Sequence, residues 1–223
     1  MVSSAPLTPS SGRRDPGRRE RILRAAADLA ARRGFHTVGL AEIGAEAGIV
    51  GSGVYRHFPS KDAILVALLE QIMDRLRTGA STILAGGGSD REIMSALVRD
   101  HVAVAASDRS VLAVYHREVH ALPEAARRRL RRMQVHYIED WVHALTPLRR
   151  DLSDSTLRVR VHGAIGAIQS SLFFHSGLPP AQLAAHLEGM AHACLGVDPD
   201  PDPTTPVEPS AEGSHGAAWR FRP

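Results

Sequence analysis

The chain has 223 residues and a formal net charge of only +3, enough to bury one large core or two modest ones. Hydrophobic residues make up 43% of it and charged residues 23%, an ordinary globular balance with no run approaching the roughly 18 apolar residues of a membrane span. Its one cysteine, Cys194, excludes an intramolecular disulfide framework and a cysteine-based zinc site.

Residues 1–16 are rich in Ser, Pro and Gly and include Arg13 and Arg14, which predicts a disordered basic arm. The stretch MVSSAPLTPSSGRRDPGRR lacks the apolar centre of a signal peptide, so a cytoplasmic protein is expected. Ile22, Ala26, Leu29 and Ala30 predict a first helix from about Gly17 to Arg33, ended by Gly34. Between Arg13 and Arg33 eight arginines stand against Asp15, Glu20 and Asp28, a local balance of 8 − 3 = +5. Such a concentration suits phosphate contact, and equally a solvated helix face.

The most informative run is Phe35 to Lys61, FHTVGLAEIGAEAGIVGSGVYRHFPSK. Leu40, Ile43 and Ala47 give a short helix one apolar face, and Gly48 stands where the chain leaving it needs a left-handed residue. Val54 and Phe58, four apart, pin a second short helix and leave Tyr55, Arg56 and His57 outward. Lys61, the only lysine in the chain, comes next. A short polar-faced helix held by an apolar partner is what a major-groove reader requires.

A fourth helix starts at Pro59-Ser60, with Ser60 as its cap, and runs to the break at Ala85–Ser89. It is expected to be the only element that touches both halves of the chain. Asp90 to Ala106 and Asp108 to Leu122 read as two helices, each opened by a capping aspartate. Pro123 begins a long helix to about Leu145, Ser153-Asp154 one to about His175, and Pro179-Pro180 a last one to about Leu195. The tail from Gly196, rich in Pro and acid, is expected to be disordered. The small residues Gly163, Ala167, Ser170 and Ser171 suit close helix approach, either inside the fold or between two copies.

The segment from residue 18 to residue 78 resembles the DNA-binding domain of the tetracycline-repressor (TetR) family of transcriptional regulators. The resemblance rests on Arg21 to Phe35, Ile43-Gly44, Ala47-Gly48-Ile49, Val54-Tyr55-Arg56-His57-Phe58 and Ser60-Lys61. The chain departs from the family pattern at Val50, Gly51 and Gly53, where a cap and polar residues are usual, and at Gly39 and Ala41. The resemblance implies an all-α chain of about nine helices, with a three-helix helix-turn-helix domain over 17–62 and a helical effector-binding and dimerisation domain over 63–195. The tail covers 196–223. The resemblance also implies a homodimer paired through its last two helices on a palindromic double-stranded operator, most simply a repressor released by a small hydrophobic effector. The alternative is a small-molecule-binding helical protein whose sequence-specific DNA binding is weak or lost.

Matched residue by residue, Tyr55, His57 and Lys61 are expected on phosphates, Gly51, Ser52 and Arg56 nearest the base edges, and Arg18 and Arg19 along the backbone or minor groove. His101, Tyr115, His116, Glu118, Tyr137, Trp141, His162 and Gln169 lie on segments that converge inside a helical bundle and are the candidate effector residues. Each singly reads as well as a core or surface residue with a satisfied hydrogen bond. With histidines and arginines flanking an apolar lining, a hydrophobic or acyl-type effector is expected, with or without an anionic group. His116 and His120, four apart, have metal-ligand spacing, but Glu118 between them does not make an H-E-x-x-H motif, and no metal or cofactor is expected. No phosphate loop, nucleophile elbow or strand pattern supports an enzyme.

Overall fold

A computed structural model describes residues 16–49 and 53–200. The expected arm up to residue 15, Val50, Gly51 and Ser52, and the tail from residue 201 lie outside the described residues. Among the described residues the fold is all-α, with eight α-helices and no strand. They are α1 (Pro16–Arg33), α2 (Leu40–Glu46), α3 (Lys61–Gly86), α4 (Asp90–Ser107), α5 (Arg109–Glu118), α6 (Glu124–Leu145), α7 (Asp154–Ser170) and α8 (Pro180–Leu195). No helix among the described residues is long and apolar enough to cross a membrane.

Residues 16–60 form a small head. Ile22, Ala26, Phe35, Ile43, Val54 and Phe58 are among its buried side chains. Gly34 and Gly48 take φ of 81° and 66°, the left-handed backbone by which the chain turns out of α1 and out of α2. Ser60 caps α3 by accepting from Ala63 N–H at 3.1 Å. The stretch after Gly48 forms no regular α-helix where it is described. His57 and Phe58 N–H both reach the Val54 carbonyl at 3.0 Å, closing a single turn. Two glycines and a valine in that run make a poor helix, and Gly53 sits so close to Ile49 that a Cβ would fall 2.6 Å from Ile49 Cγ2.

α3 buries residues on more than one side, Ile64, Leu68, Leu69, Ile72 and Leu76 among them, because it packs on α1 in the head and on α4, α5 and α6 in the body. α4 lies between α3, α6, α7 and α8, and α7 pairs along α8. Trp141, Leu130 and Leu145 of α6 are fully buried in the body core.

Several expected ends and caps differ. Ser89, not Asp90, caps α4, in a capping box with Glu92. Asp108 precedes α5 without capping it, because its carboxylate is held by Arg75 and the Ser107 hydroxyl. α5 stops at Glu118 and tightens into a 3-10 turn, Val119–Ala121. Pro123 forces Leu122 into extended backbone, with ψ of 152°. α7 ends at Ser170 rather than near His175, where the Ser170 and Ser171 hydroxyls bond back to the carbonyls of Ala167 and Ile168.

Gly44 is where α2 meets the turn after it. A Cβ there would lie 3.0 Å from both the Ile49 carbonyl oxygen and Val54 Cγ2. Gly44→Ala gains about 1 kcal/mol of helix propensity but overpacks a contact in which one partner is backbone, costing about 1–3 kcal/mol. The net effect is a less stable head, and thermal unfolding of the two chains checks the sign.

Candidate nucleic-acid interface and ligand cavity

The outward face of the head carries Tyr55, 60% exposed, and Arg56, also exposed, with His57 half-buried behind them. Arg18 is exposed on α1. Arg19 lies over the Phe58 ring at 5.2 Å and shares a surface crevice with His57. Gly51 and Ser52, the expected base-edge residues, are outside the described segment. Lys61 is partly committed to the head itself: Nζ donates to the His36 carbonyl at 2.9 Å and sits 4.9 Å over the Phe35 ring. Its remaining N–H donors are available to a phosphate.

The body holds a cavity of about 250 Å³ between α3, α4, α5, α6 and α7. His101, Tyr115, His116, Tyr137, His162 and Gln169, six of the eight expected effector residues, line it. Met73, Leu76, Leu112 and Ile165 supply its apolar walls. Crevices of about 490 and 600 Å³ exist elsewhere, but no buried polar side chain faces either. The smaller cavity has such groups, which makes it the candidate ligand site.

Those groups form one chain of contacts. Tyr137 Oη meets His101 Nδ1 at 2.7 Å, His101 Nε2 meets Gln169 Nε2 at 3.3 Å, and Gln169 Oε1 meets His116 Nε2 at 3.0 Å. Burial lowers the His101 pKa to about 4, with His116 adding to the shift. Burial also lowers His116, against the raising effect of its bond to Gln169. Burial pushes the Tyr137 phenol up, and the Trp141 indole N–H beside it offsets a part. That N–H falls short of hydrogen-bond geometry with any acceptor. His101 is therefore neutral at pH 7, and burial works against a charge on His116 and on Tyr137 alike.

Trp141 and Glu118 are not on the cavity surface. Trp141 packs behind it, edge-on to His101 at 6.0 Å and to Tyr137 at 6.1 Å. Glu118 faces the head instead: it accepts from Phe35 N–H at 3.2 Å and pairs with His36 Nε2 at 3.0 Å. Arg117 reaches the Ala31 carbonyl from the same helix end, at 3.4 Å. So α5, not α3 alone, touches both halves, and it packs more extensively on α1 than α3 does. No sequence spacing could have paired Glu118 with residues 35 and 36. No arginine lines the cavity; Arg131 and Arg158 line a neighbouring groove, and Arg158 is already paired with Glu139 and Asp154. His120 falls in the 3-10 turn after α5, so it and His116 do not share a helical face.

Two family profiles match the chain: "Bacterial regulatory proteins, tetR family" over residues 22–68, and "Tetracyclin repressor-like, C-terminal domain" over residues 87–164. Together they span more than half of it. The chain belongs to the TetR family. A relative, the helix-turn-helix-type transcriptional repressor KstR2 of Rhodococcus jostii, is 31% identical over 118 residues, covering 53% of this chain and 57% of that protein. The transcriptional activator FasR of Mycolicibacterium smegmatis is 33% identical over 81 residues, 36% of this chain and 37% of that one. The chain thus spans between about a third and about three-fifths of these curated relatives. Among solved structures, AibR, crystallised with isovaleryl coenzyme A and operator DNA, superposes with a TM-score of 0.66 at 20% identity, over 78% of this chain and 97% of that one. The likeness shows that the two chains share a fold over that length.

The buried imidazole makes stability depend on pH. The folded pKa of His101, about 4, lies below its ordinary 6.5. Between these values the unfolded chain binds a proton that the folded chain refuses, so stability falls as pH drops through that window, by up to roughly 3 kcal/mol. His101→Gln removes this part of the pH profile. Urea melts of both chains at about pH 7 and about pH 5 measure it, and equal losses in the two would rule out His101 as the source.

Proposed function

We propose that this chain is a ligand-responsive, DNA-binding transcriptional regulator that acts as a homodimer, most simply a repressor released from its operator by a small hydrophobic molecule. The observation that carries this reading is α5. Its Tyr115 and His116 line a cavity with a buried polar floor, and the next two residues, Arg117 and Glu118, hold the head that presents Tyr55, Arg56 and Lys61. A ligand that favours one position of α5 over another shifts the head by its differential affinity alone. KstR2, by its name a repressor, supports the sign of regulation. Effector binding by this fold is supported by AibR with its acyl thioester and DNA.

The partner surface fits α7 and α8. Val159 is 70% and Met190 49% exposed there, and Phe173 and Phe174 are exposed just beyond α7. Gly166 and Gly189 face open space, so another backbone can approach, whereas a Cβ on Gly163 would meet Cys194 of α8. A two-fold reader needs a second copy to span half-sites about 34 Å apart, and this face is the one offered to it.

Selection of binding sites from random duplex DNA by the full chain tests the core of the reading; a pool that yields no enriched, two-fold-related sequence overturns it. On the selected operator, Lys61→Ala is expected to weaken operator and random DNA alike and to lower the salt slope by about one. Arg56→Ala is expected to narrow the gap between them by about 1–3 kcal/mol. Titrations across salt concentration separate the two outcomes.

The α5 latch has its own test. Glu118→Ala leaves the buried Phe35 N–H without an acceptor, a cost of about 1–3 kcal/mol, whereas Glu118→Gln keeps an acceptor oxygen and loses only an ion pair with an exposed His36, worth under about 1 kcal/mol. Hydrogen exchange at the Phe35 amide is therefore expected to quicken strongly in Glu118→Ala and little in Glu118→Gln. Equal exchange in all three chains would remove the latch.

A further inference from the structure

The floor of the cavity has a direction. Gln169 Oε1 faces His116 Nε2, and Gln169 Nε2 faces His101 Nε2. An amide nitrogen only donates, so with the amide in this orientation His101 Nε2 accepts and the proton of the neutral imidazole sits on Nδ1. Nδ1–H then donates to Tyr137 Oη at 2.7 Å. The Tyr137 oxygen is thus an acceptor at the end of this run of hydrogen bonds, and its own O–H is the donor that the run leaves over. Tyr137 lines the cavity.

Charge points the same way. No Lys, Arg, Asp or Glu lines the cavity, burial disfavours protonation of both His101 and His116, and the third histidine of the lining, His162, is an exposed residue shared with the adjoining groove. A carboxylate there would lose its hydration with no cation to offset the loss. Arg131 and Arg158 lie in the adjoining groove, outside the cavity.

We propose that the cavity takes an uncharged molecule with an apolar body and one acceptor oxygen, such as a ketone or ester, which receives a hydrogen bond from the Tyr137 hydroxyl. This rests on the reading of the cavity as the effector site and narrows it: an anionic group on the effector has no place inside.

The test uses the full chain with Trp219→Phe, so that Trp141, edge-on to Tyr137, is its only tryptophan. 2-Nonanone and octanoate, molecules of similar length, are titrated at about pH 8, with Trp141 fluorescence and calorimetry as readouts. The ketone is expected to bind at least about tenfold more tightly than the carboxylate. Tyr137→Phe is expected to lower ketone affinity about tenfold without improving octanoate. Octanoate binding as tightly as the ketone, or neither binding, overturns the proposal. So does an unchanged ketone affinity in Tyr137→Phe, the result that a reversed Gln169 amide would give. The ketone-to-carboxylate ratio in the chain with Tyr137 intact decides the matter even if Tyr137→Phe fails to fold. A parallel titration onto the selected operator separates the two readings: a ketone that binds yet leaves operator affinity unchanged overturns the effector role and leaves the ligand class standing.

Discussion

The backbone N–H of Phe35 is buried at the start of a one-turn 3-10 helix, and the acceptor it finds lies 83 residues along the chain, on Glu118. Such a donor cannot be left unpaired without losing about 1–3 kcal/mol, so the end of α5 must stay where it is for the head to be folded and seated at once. The neighbouring groups converge on the same turn. Lys61, the first residue of α3, donates to the His36 carbonyl, and the His36 ring pairs with the second Glu118 oxygen. The end of α1, the start of α3 and the end of α5 are thereby tied to residues 34–37. The ion pair is the lesser part of this, because His36 is exposed; the backbone hydrogen bond is the greater.

The body is arranged around a second polar constraint. His101 is fully buried on α4, and a buried imidazole needs partners for both nitrogens. It takes one from α6, Tyr137, and one from α7, Gln169, and Gln169 passes the chain on to His116 of α5. Four helices are held in register by a neutral network, and the cavity is the space that their apolar walls leave beside it. α5 belongs to both constraints. Two of its consecutive residues, Tyr115 and His116, line the cavity, and the next two, Arg117 and Glu118, hold the head.

Helix content and most helix limits are legible in the sequence because they rest on local chemistry: the apolar spacing of Ile22, Ala26 and Ala30, the cap at Ser60, the stops at Gly34 and Gly196. The cavity is largely legible for a related reason, since polar and aromatic residues on otherwise apolar helix faces converge in a bundle, and six of eight so chosen line it. Where sequence and structure part, a long-range or competing contact prevails. Asp108 has the place of a cap, but Arg75 and Ser107 take its carboxylate. Glu118 has the place of an effector residue beside His116, but the buried N–H of Phe35 draws it the other way. The stretch after Gly48 has a helix-turn-helix pattern in its apolar residues, yet Gly53 is required by its approach to Ile49 and works against a regular helix there.

The two constraints differ in strength in a way that matters for a switch. The buried network of His101 is deep, neutral and enclosed by core side chains, so altering it means disturbing the body. The Glu118 contact lies at the end of its helix, beside an exposed histidine and next to a 3-10 turn, and its net worth is of the order of a single hydrogen bond, about 1–3 kcal/mol. That is also the usual size of the coupling free energy between two sites in an allosteric protein. A tighter joint between α5 and the head would fix the head in one position against any small ligand. A looser one would let the head move without reference to the cavity. On the proposed reading, a ligand in a cavity of about 250 Å³ needs to bias α5 by no more than this one contact is worth. By linkage, operator DNA must bias the cavity in return by the same amount.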